Sequence, residues 1–193
     1  VGATDLNTLL QYTTSTETAG IQGNFAGVQT PQQEQTSSGS ARVNFESTHR
    51  VRGLGAPERT RAFFRTDIPF DIYNAERIDI NRGANSFLFG LGSSAGIVNA
   101  DLKKALFVDK GEVKVRIGSG GDSPSIRSTF DYNKVLVEDK LAVRLTGLVN
   151  HHEYRQEPTY KDDERFYATM TYRPFKDTTI RAHYESGDID GNP

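Results

Sequence analysis

The chain has 193 residues, and its 23 Lys and Arg residues nearly balance its 25 Asp and Glu residues, giving a net charge of −2. This balance excludes the clustered basic surface typical of nucleic-acid binding. Because there is no cysteine, disulfides, Cys-based zinc sites and a thiol nucleophile are excluded too. The mean hydropathy of −0.58, without an apolar run of about 20 residues, excludes a membrane-spanning helix but not a membrane β-barrel, whose strands are only half apolar.

The first part of the chain, up to about residue 104, combines short periodic segments with long polar stretches, which predicts a small mixed α+β domain. A helix is predicted over Thr4–Tyr12, and a polar loop follows over residues 13–48, with a short strand near Arg42–Phe45. Further strands are predicted at His49–Gly55 (stopping at Gly53), Glu76–Gly83 and Ala95–Lys104, and a turn is predicted at Asp67–Pro69 within the segment Phe63–Asn74.

The pattern changes after Lys110, where apolar and polar residues alternate in five successive segments. The segments are 111–118, 125–136, 140–152, 165–174 and 178–186. Alternation with a period of two, repeated in this way, predicts antiparallel strands with one apolar and one polar face. The connections VEDK and PFKD are tight, whereas SGSGGDSP and EYRQEPTYKDDE are longer. Alternating short and long connections are typical of a transmembrane barrel, although a soluble meander remains the alternative.

Local patterns that suggest chemistry are weak. The spacing of Gly90–Gly96 is not that of a dinucleotide-binding loop, so a tight turn is favoured. His151 and His152 are neighbours on a strand and point to opposite faces, which favours a solvated strand end over a metal site. The acidic run Asp162–Glu164 predicts a solvated outer loop. Because no catalytic constellation is present, we expect no enzymatic activity, no cofactor and no metal.

Two short elements and the strands that follow them resemble TonB-dependent outer-membrane receptors. The first element is Val51-Arg52-Gly53. The second is ERIDINRGANSFLFGLGSSAGIVN, over residues 76–99, which is similar to the family's segment E-R-I-E-V-x-R-G-P-x-S-x-L-Y-G with its small-residue run ending in G-x-V-N. The chain departs from the family at Ala84, where Pro is usual, and at Ala95, where Gly is frequent.

The resemblance implies a fold and a function. Residues 1–108 would form most of an α+β plug domain, and residues 109–193 the first five or so strands of a barrel of about 22 strands. The chain would then be a fragment of a receptor in the outer membrane of a Gram-negative bacterium. The complete receptor would import a scarce ligand, a ferric siderophore above all, when the TonB–ExbB–ExbD system rearranges the plug. The segment that contacts TonB is expected to lie outside this chain. The alternative is a soluble β-rich ligand-binding or adhesion module.

The resemblance also assigns roles to individual residues. It implies that Arg52 and Arg82 form ion pairs with barrel glutamates, and it makes Glu76 and Arg77 further candidates for such pairs. Turn glycines are expected at Gly53, Gly83, Gly90 and Gly96, and a small core at Phe87–Phe89. The ligand-facing segments would be Gly23–Ser47, Leu54–Arg61 and Glu153–Glu164. Their candidate residues are Asn24, Phe25, Gln29, Arg59, Arg61 and Tyr160.

Overall fold

The computed structural model describes residues 4, 9–10, 12–18, 49–53, 57–83, 95–119, 124–153 and 160–192. These residues contain eleven strands in three sheets. The chain divides into two compact units, Val1–Leu102 (unit 1) and Lys103–Pro193 (unit 2). The predicted division lay between residues 108 and 109. Within the described ranges, no helix has the length and apolar character needed to cross a membrane.

Unit 1 contains two small sheets. Strand β1 (Thr16–Thr18) pairs antiparallel with β2 (His49–Val51). The other sheet has the order β4-β3-β6-β5, in which β3 and β6 are parallel and the other pairs antiparallel. Its strands are β3 (Glu58–Arg61), β4 (Phe64–Arg65), β5 (Ala75–Arg82) and β6 (Gly96–Leu102). The strands predicted at 49–55, 76–83 and 95–104 are therefore present.

The turn predicted at Asp67–Pro69 coincides with a bend of the chain at Ile68, and the structure adds an earlier turn that was not predicted. Ala62 and Phe63 have positive φ values of 48° and 67°, as in the tight two-residue turns of hairpins. Asn99 Oδ1, fully buried, accepts hydrogen bonds from Phe63 N (2.8 Å) and from Thr60 Oγ1 (3.0 Å). A side chain far along the chain thus fixes the turn, and the local residue pattern does not show it.

The core of unit 1 is small. Leu10, Phe70, Val98 and Ala100 are buried, and Leu9, Ile78 and Ile80 pack against them. Full burial of a side chain such as Phe70 contributes about 1.5–3 kcal/mol. The core predicted at Phe87–Phe89 and the strand predicted near Arg42–Phe45 lie outside the described residues. The predicted helix lies mostly outside them as well, although Leu9 and Leu10 are helical.

Unit 2 is one antiparallel sheet in the order β7-β8-β9-β10-β11. Its strands are β7 (Lys110–Ser119), β8 (Pro124–Val137), β9 (Leu141–Glu153), β10 (Tyr160–Phe175) and β11 (Thr178–Asn192). Five strands and two tight turns were predicted here, and the turns lie at residues 138–140 and 176–177. Strand β10 begins earlier and β11 ends later than the sequence predicted.

Gly96 offers a test of the fold of unit 1. It has a φ of +109°, and a Cβ added there would lie 2.1 Å from Asn81 O. We expect Gly96→Ala to lower the free energy of unfolding by about 3 kcal/mol, because both the backbone conformation and the contact with β5 are unfavourable for alanine. The measurement is a urea titration. The control, Gly118→Ala, places its methyl group in open space and should change stability by less than about 0.5 kcal/mol. Equal losses in both variants would contradict this account.

Candidate functional site

The two Arg-Gly elements of unit 1 lie side by side. Arg52 (φ 57°) and Gly53 (φ 68°) form the turn after β2, and Gly83 (φ 92°) follows β5. Arg52 Nη1 lies 3.5 Å from the position that a Cβ on Gly83 would occupy. Arg52 and Arg82 are both exposed, and neither makes an ion pair with another described residue. The structure therefore brings the two motif elements together and leaves their guanidinium groups on the surface of unit 1.

Arg77 has partners within its own sheet. Its guanidinium contacts Asp79 (3.1 Å) on β5 and Asp101 (2.8 Å) on β6. The side chain of Arg77 is 65% exposed, so such pairs contribute at most about 1 kcal/mol. Glu76 is exposed at the start of β5. Ion pairs from these two residues to barrel glutamates stay a prediction.

The candidate ligand residues that the structure describes differ in burial. Arg61 is 8% exposed, donates a hydrogen bond from Nη2 to Pro69 O (3.2 Å) and lies over the Phe70 ring at 6.0 Å. It therefore supports the fold of unit 1. Arg59 and Tyr160 are half-buried. The other candidate residues, Asn24, Phe25 and Gln29, and the turn glycine Gly90 lie outside the described residues.

The inner strands of the sheet of unit 2, β8–β10, bury much of their polar face, whereas the apolar face of the sheet is largely exposed. On β10, Asp163, Tyr167 and Thr169 are 3%, 1% and 6% exposed. On the opposite face of β7, Val113, Val115 and Ile117 are 76%, 63% and 71% exposed. A sheet of a soluble protein normally does the reverse, with its apolar face on the core and its polar face in water. The order of polarity is therefore inverted over β8–β10, while β7 and β11 expose side chains of both faces.

The apolar face is continuous across the strands. The cross-strand partners on this face form rows such as Tyr132–Leu145–Ala168–Tyr184 and Val113–Phe130–Gly147–Phe166. The ring of Phe130 covers Gly147 so closely that a Cβ there would lie 2.2 Å from it. The glycine thus leaves room for an aromatic ring to lie flat on the sheet. Toward the far end of the strands, the same face carries His151 and Asp162.

The solvated acidic loop predicted at Asp162–Glu164 is wrong, because these residues belong to β10. Asp163 is on the polar face, and both of its carboxylate oxygens accept hydrogen bonds from Arg165, at 2.5 and 2.6 Å. Both side chains are buried. An arginine two residues away on the same face satisfies the carboxylate, so the strand continues through an acidic sequence.

His151 also pairs with carboxylates rather than with its neighbour His152. Its Nδ1 is hydrogen-bonded to Asp162 on β10, and its Nε2 lies 3.5 Å from Glu153 Oε1. Over the described part of the chain, no group of three or more His, Asp or Glu side chains is arranged to hold a metal ion.

The segment of residues 103–109, here called the strap, crosses the polar face. Lys103 Nζ lies 2.8 Å from Asp131 Oδ2 on β8. Arg144 on β9 holds the same carboxylate with two hydrogen bonds of 2.7 Å. The three side chains are only 11–18% exposed. One carboxylate therefore joins the strap to two strands.

Further side chains of the sheet hold the backbone of the strap. Tyr167 Oη donates to Lys103 O (2.8 Å), Arg144 Nη1 to Lys104 O (3.1 Å) and Thr171 Oγ1 to Ala105 O (2.8 Å). These donors come from β9 and β10. The carbonyl groups of an extended segment without strand partners are thus satisfied by side chains.

Asn133 and Asp109 complete these contacts. Asn133 Nδ2 donates to Leu106 O (2.7 Å) and Val108 O (2.5 Å), while its Oδ1 accepts from Leu106 N (2.9 Å). Asp109 Oδ1 accepts from Val135 N (2.8 Å), and its other oxygen pairs with Lys134. The hydrogen bonds from Lys134 and Val135 lower the pKa of the Asp109 carboxyl. Its contacts are therefore retained at neutral pH and are lost only when the pH falls below the ordinary pKa range of a carboxyl group.

Comparisons with known proteins agree with the resemblance seen in the sequence. The chain is 30% identical over 112 residues to the ferrichrome outer membrane transporter/phage receptor of Escherichia coli (strain K12), a match covering 58% of this chain and 15% of that protein. Its fold matches the siderophore receptor PirA from Acinetobacter baumannii with a TM-score of 0.72 and 16% identity, over 97% of this chain and 29% of the receptor.

A second fold match is the closed form of the ferric-catecholate import receptor Fiu from E. coli K12. The TM-score is 0.68 with 18% identity, over 95% of this chain and 24% of the receptor. No family model matches the chain. The matched regions thus span about 15–29% of these relatives. They are a transporter and receptors rather than enzymes, and the E. coli ferrichrome protein is an outer membrane protein.

The chain is therefore similar in sequence to part of an outer membrane transporter of Escherichia coli and similar in fold to part of two siderophore receptors. This confirms the resemblance to the family and agrees with the predicted location.

The carboxylate shared by Lys103 and Arg144 can be tested directly. We expect Asp131→Asn to lower the free energy of unfolding by about 2–3 kcal/mol, because two partly buried cations lose their counter-charge. The measurement is a urea titration of unit 2, followed by its β-sheet circular dichroism. In the control, Glu112→Gln, the pair with Lys114 is exposed, and the loss should stay below about 1 kcal/mol. A loss no greater than in the control would show that the Asp131 cluster is not a structural link.

Proposed function

We propose that this chain is part of a TonB-dependent receptor that imports a ferric siderophore across the outer membrane. Residues 1–108 would be plug, and residues 109–193 the first strands of the barrel. The observation that carries the proposal is the inverted polarity of the sheet of unit 2. The similarity to siderophore receptors supports it independently.

The inverted sheet fits a barrel wall. In such a barrel, apolar side chains face lipid and polar ones face the interior, alternating along every strand. The strands of unit 2 are 10–16 residues long, and about 9–11 residues suffice to cross the apolar core of a bilayer. The short turns at residues 138–140 and 176–177 lie at one end of the sheet, as do the periplasmic turns of such barrels.

The soluble alternative is less favourable. In water, Val113, Val115, Ile117 and Phe166 would remain exposed on one face. At about 25 cal/mol per Å² of apolar area, a face of this size would be a strong driving force for association. A soluble binding or adhesion module would therefore need a partner along the whole face of the sheet.

The mechanism follows from the family resemblance. The TonB–ExbB–ExbD system would rearrange the plug and open a path for the bound ligand. Arg52 and Arg82, side by side and exposed, would pair with glutamates on barrel strands beyond this chain. Such pairs would hold the plug closed until it is pulled, because ion pairs are strong where water is scarce.

The ligand is proposed to be an iron chelate. The relatives' descriptions name ferrichrome and a ferric catecholate. We propose Arg59 and Tyr160 as ligand-facing residues, together with Asn24, Phe25 and Gln29. Arg61, buried against Phe70, is less accessible than Arg59 and Tyr160.

The location of the apolar face in lipid can be tested with one substitution. We expect Leu145→Arg, in the middle of that face, to destabilise the barrel by about 2–4 kcal/mol and to reduce recovery in the outer-membrane fraction. The control, Glu138→Arg, lies in an exposed turn and should be neutral. The measurement is the amount of folded complete protein in the membrane fraction. If both variants behave like the parent protein, the face does not contact lipid.

Import itself is the direct test. Cells producing the complete receptor should take up radiolabelled iron from at least one of a panel of hydroxamate, catecholate and pyoverdine-type chelates. Uptake should disappear in cells without TonB, because plug rearrangement needs energy, whereas binding of the chelate to the cell surface should persist. Uptake that is equal with and without the receptor, for every chelate, would reject the proposed function.

A further inference from the structure

We propose that the strap is a clamped tether. It remains docked on the polar face of unit 2 while unit 1 rearranges or unfolds, so that any such change ends at Leu102. This goes beyond the proposed function, because it assigns the point in the chain at which plug movement stops. It rests on the proposed function in one respect only, which is that the barrel stays folded when the plug rearranges or unfolds.

The first argument is that every residue of the strap contacts the sheet of unit 2. The carbonyl oxygens of Lys103, Lys104, Ala105, Leu106 and Val108 all accept hydrogen bonds from side chains of the sheet. Phe107 lies 4.5 Å from the guanidinium of Arg173. Asp109 contacts Lys134 and the Val135 amide. The strap thus follows the sheet along its whole length.

The second argument is that the donors lie on strands that are held by the sheet itself. They come from β8, β9 and β10, the three inner strands, whose backbones are hydrogen-bonded on both sides. Asn133 is 3% exposed and Thr171 is also 3% exposed. Because side chains from three strands donate hydrogen bonds to the strap, the local opening of one strand does not release it.

The third argument is the change of partners at Leu102. Up to this residue, the chain pairs as β6 with β5 and β3, which belong to unit 1. From Lys103 onward, the hydrogen bonds given above are made with unit 2. The two sets of bonds meet at the peptide bond between Leu102 and Lys103, so the bonds that hold the strap on its sheet are different from those that hold β6 in unit 1.

The experiment compares two buried alanines on either side of this point. Ala100 on β6 and Ala105 in the strap are 2% and 3% exposed, and this chain contains no cysteine. Each is replaced by cysteine in the complete protein in detergent, with any cysteines elsewhere changed to serine. The rate of thiol labelling is then measured across a urea series, with circular dichroism reporting on the sheet.

We expect the thiol introduced at Ala100 to become reactive at urea concentrations at which the β-sheet signal is intact. The thiol introduced at Ala105 should remain at least about tenfold slower there. Adding Asn133→Ala should bring the two rates together, since it removes three hydrogen bonds to the strap. Thr171→Val, which removes one bond and retains shape, should give a smaller increase. The control Ser128→Ala, on the opposite face, should change nothing.

Two outcomes would overturn the tether. One is equal labelling of both thiols in the otherwise unchanged protein, because the strap would then move with unit 1. The other is that Asn133→Ala and Thr171→Val leave the protection of the strap unchanged while the sheet stays folded. Neither outcome involves a siderophore or TonB, so this proposal can fail while import is observed, and import can fail while the tether holds.

Discussion

A sheet that exposes apolar side chains on one face and buries polar ones on the other requires two different surroundings, and this constraint governs unit 2. The alternation of residues puts Phe166 and Tyr167 on opposite faces of β10, one 39% and the other 1% exposed. An apolar face of this extent is favourable only against an apolar medium or partner. A buried polar face is favourable only if its hydrogen-bonding groups find partners. The remaining features of the unit show how the hydrogen-bonding groups of the polar face find partners.

The polar face satisfies its groups in two ways. Asp163 and Arg165 pair within one strand, which leaves the ladder of β10 undisturbed. Elsewhere the face uses the strap, whose carbonyl groups accept from Tyr167, Thr171 and Asn133. The backbone carbonyl groups of an extended segment without strand partners need hydrogen-bond donors, and the buried polar side chains of the sheet need acceptors. The strap and the polar face supply these to each other. This explains why a segment without a periodic residue pattern follows a defined path.

Much of this sheet could be predicted from the sequence, because period-two alternation is a local property. The start of β10 was not predicted, since Asp162–Glu164 is polar and charged. The buried carboxylate of Asp163 is satisfied by Arg165 on the same face of the strand, and the segment pairs along its length with β9 and β11. The strap could not be predicted either. Its partners, such as Asn133 and Thr171, lie 25–66 residues further along the chain, and nothing within 103–109 indicates them. In unit 1, the turn at Ala62–Phe63 was missed for the same reason, since it depends on Asn99.

Backbone strain in unit 1 coincides with the motif on which the proposed function depends. A non-glycine residue with positive φ costs about 1–3 kcal/mol and persists only where the surroundings determine it. Arg52 is such a residue, and its Nη1 lies 3.5 Å, an ordinary contact distance, from the position that a Cβ on Gly83 would occupy. The glycine of the second element is favoured by its own positive φ of 92°, which other residues rarely adopt. The two Arg-Gly elements therefore lie together in unit 1, and the side chains of Arg52 and Arg82 are both exposed. Neither cation has an ion-pair partner among the described residues, which is the physical reason to expect acidic partners for them.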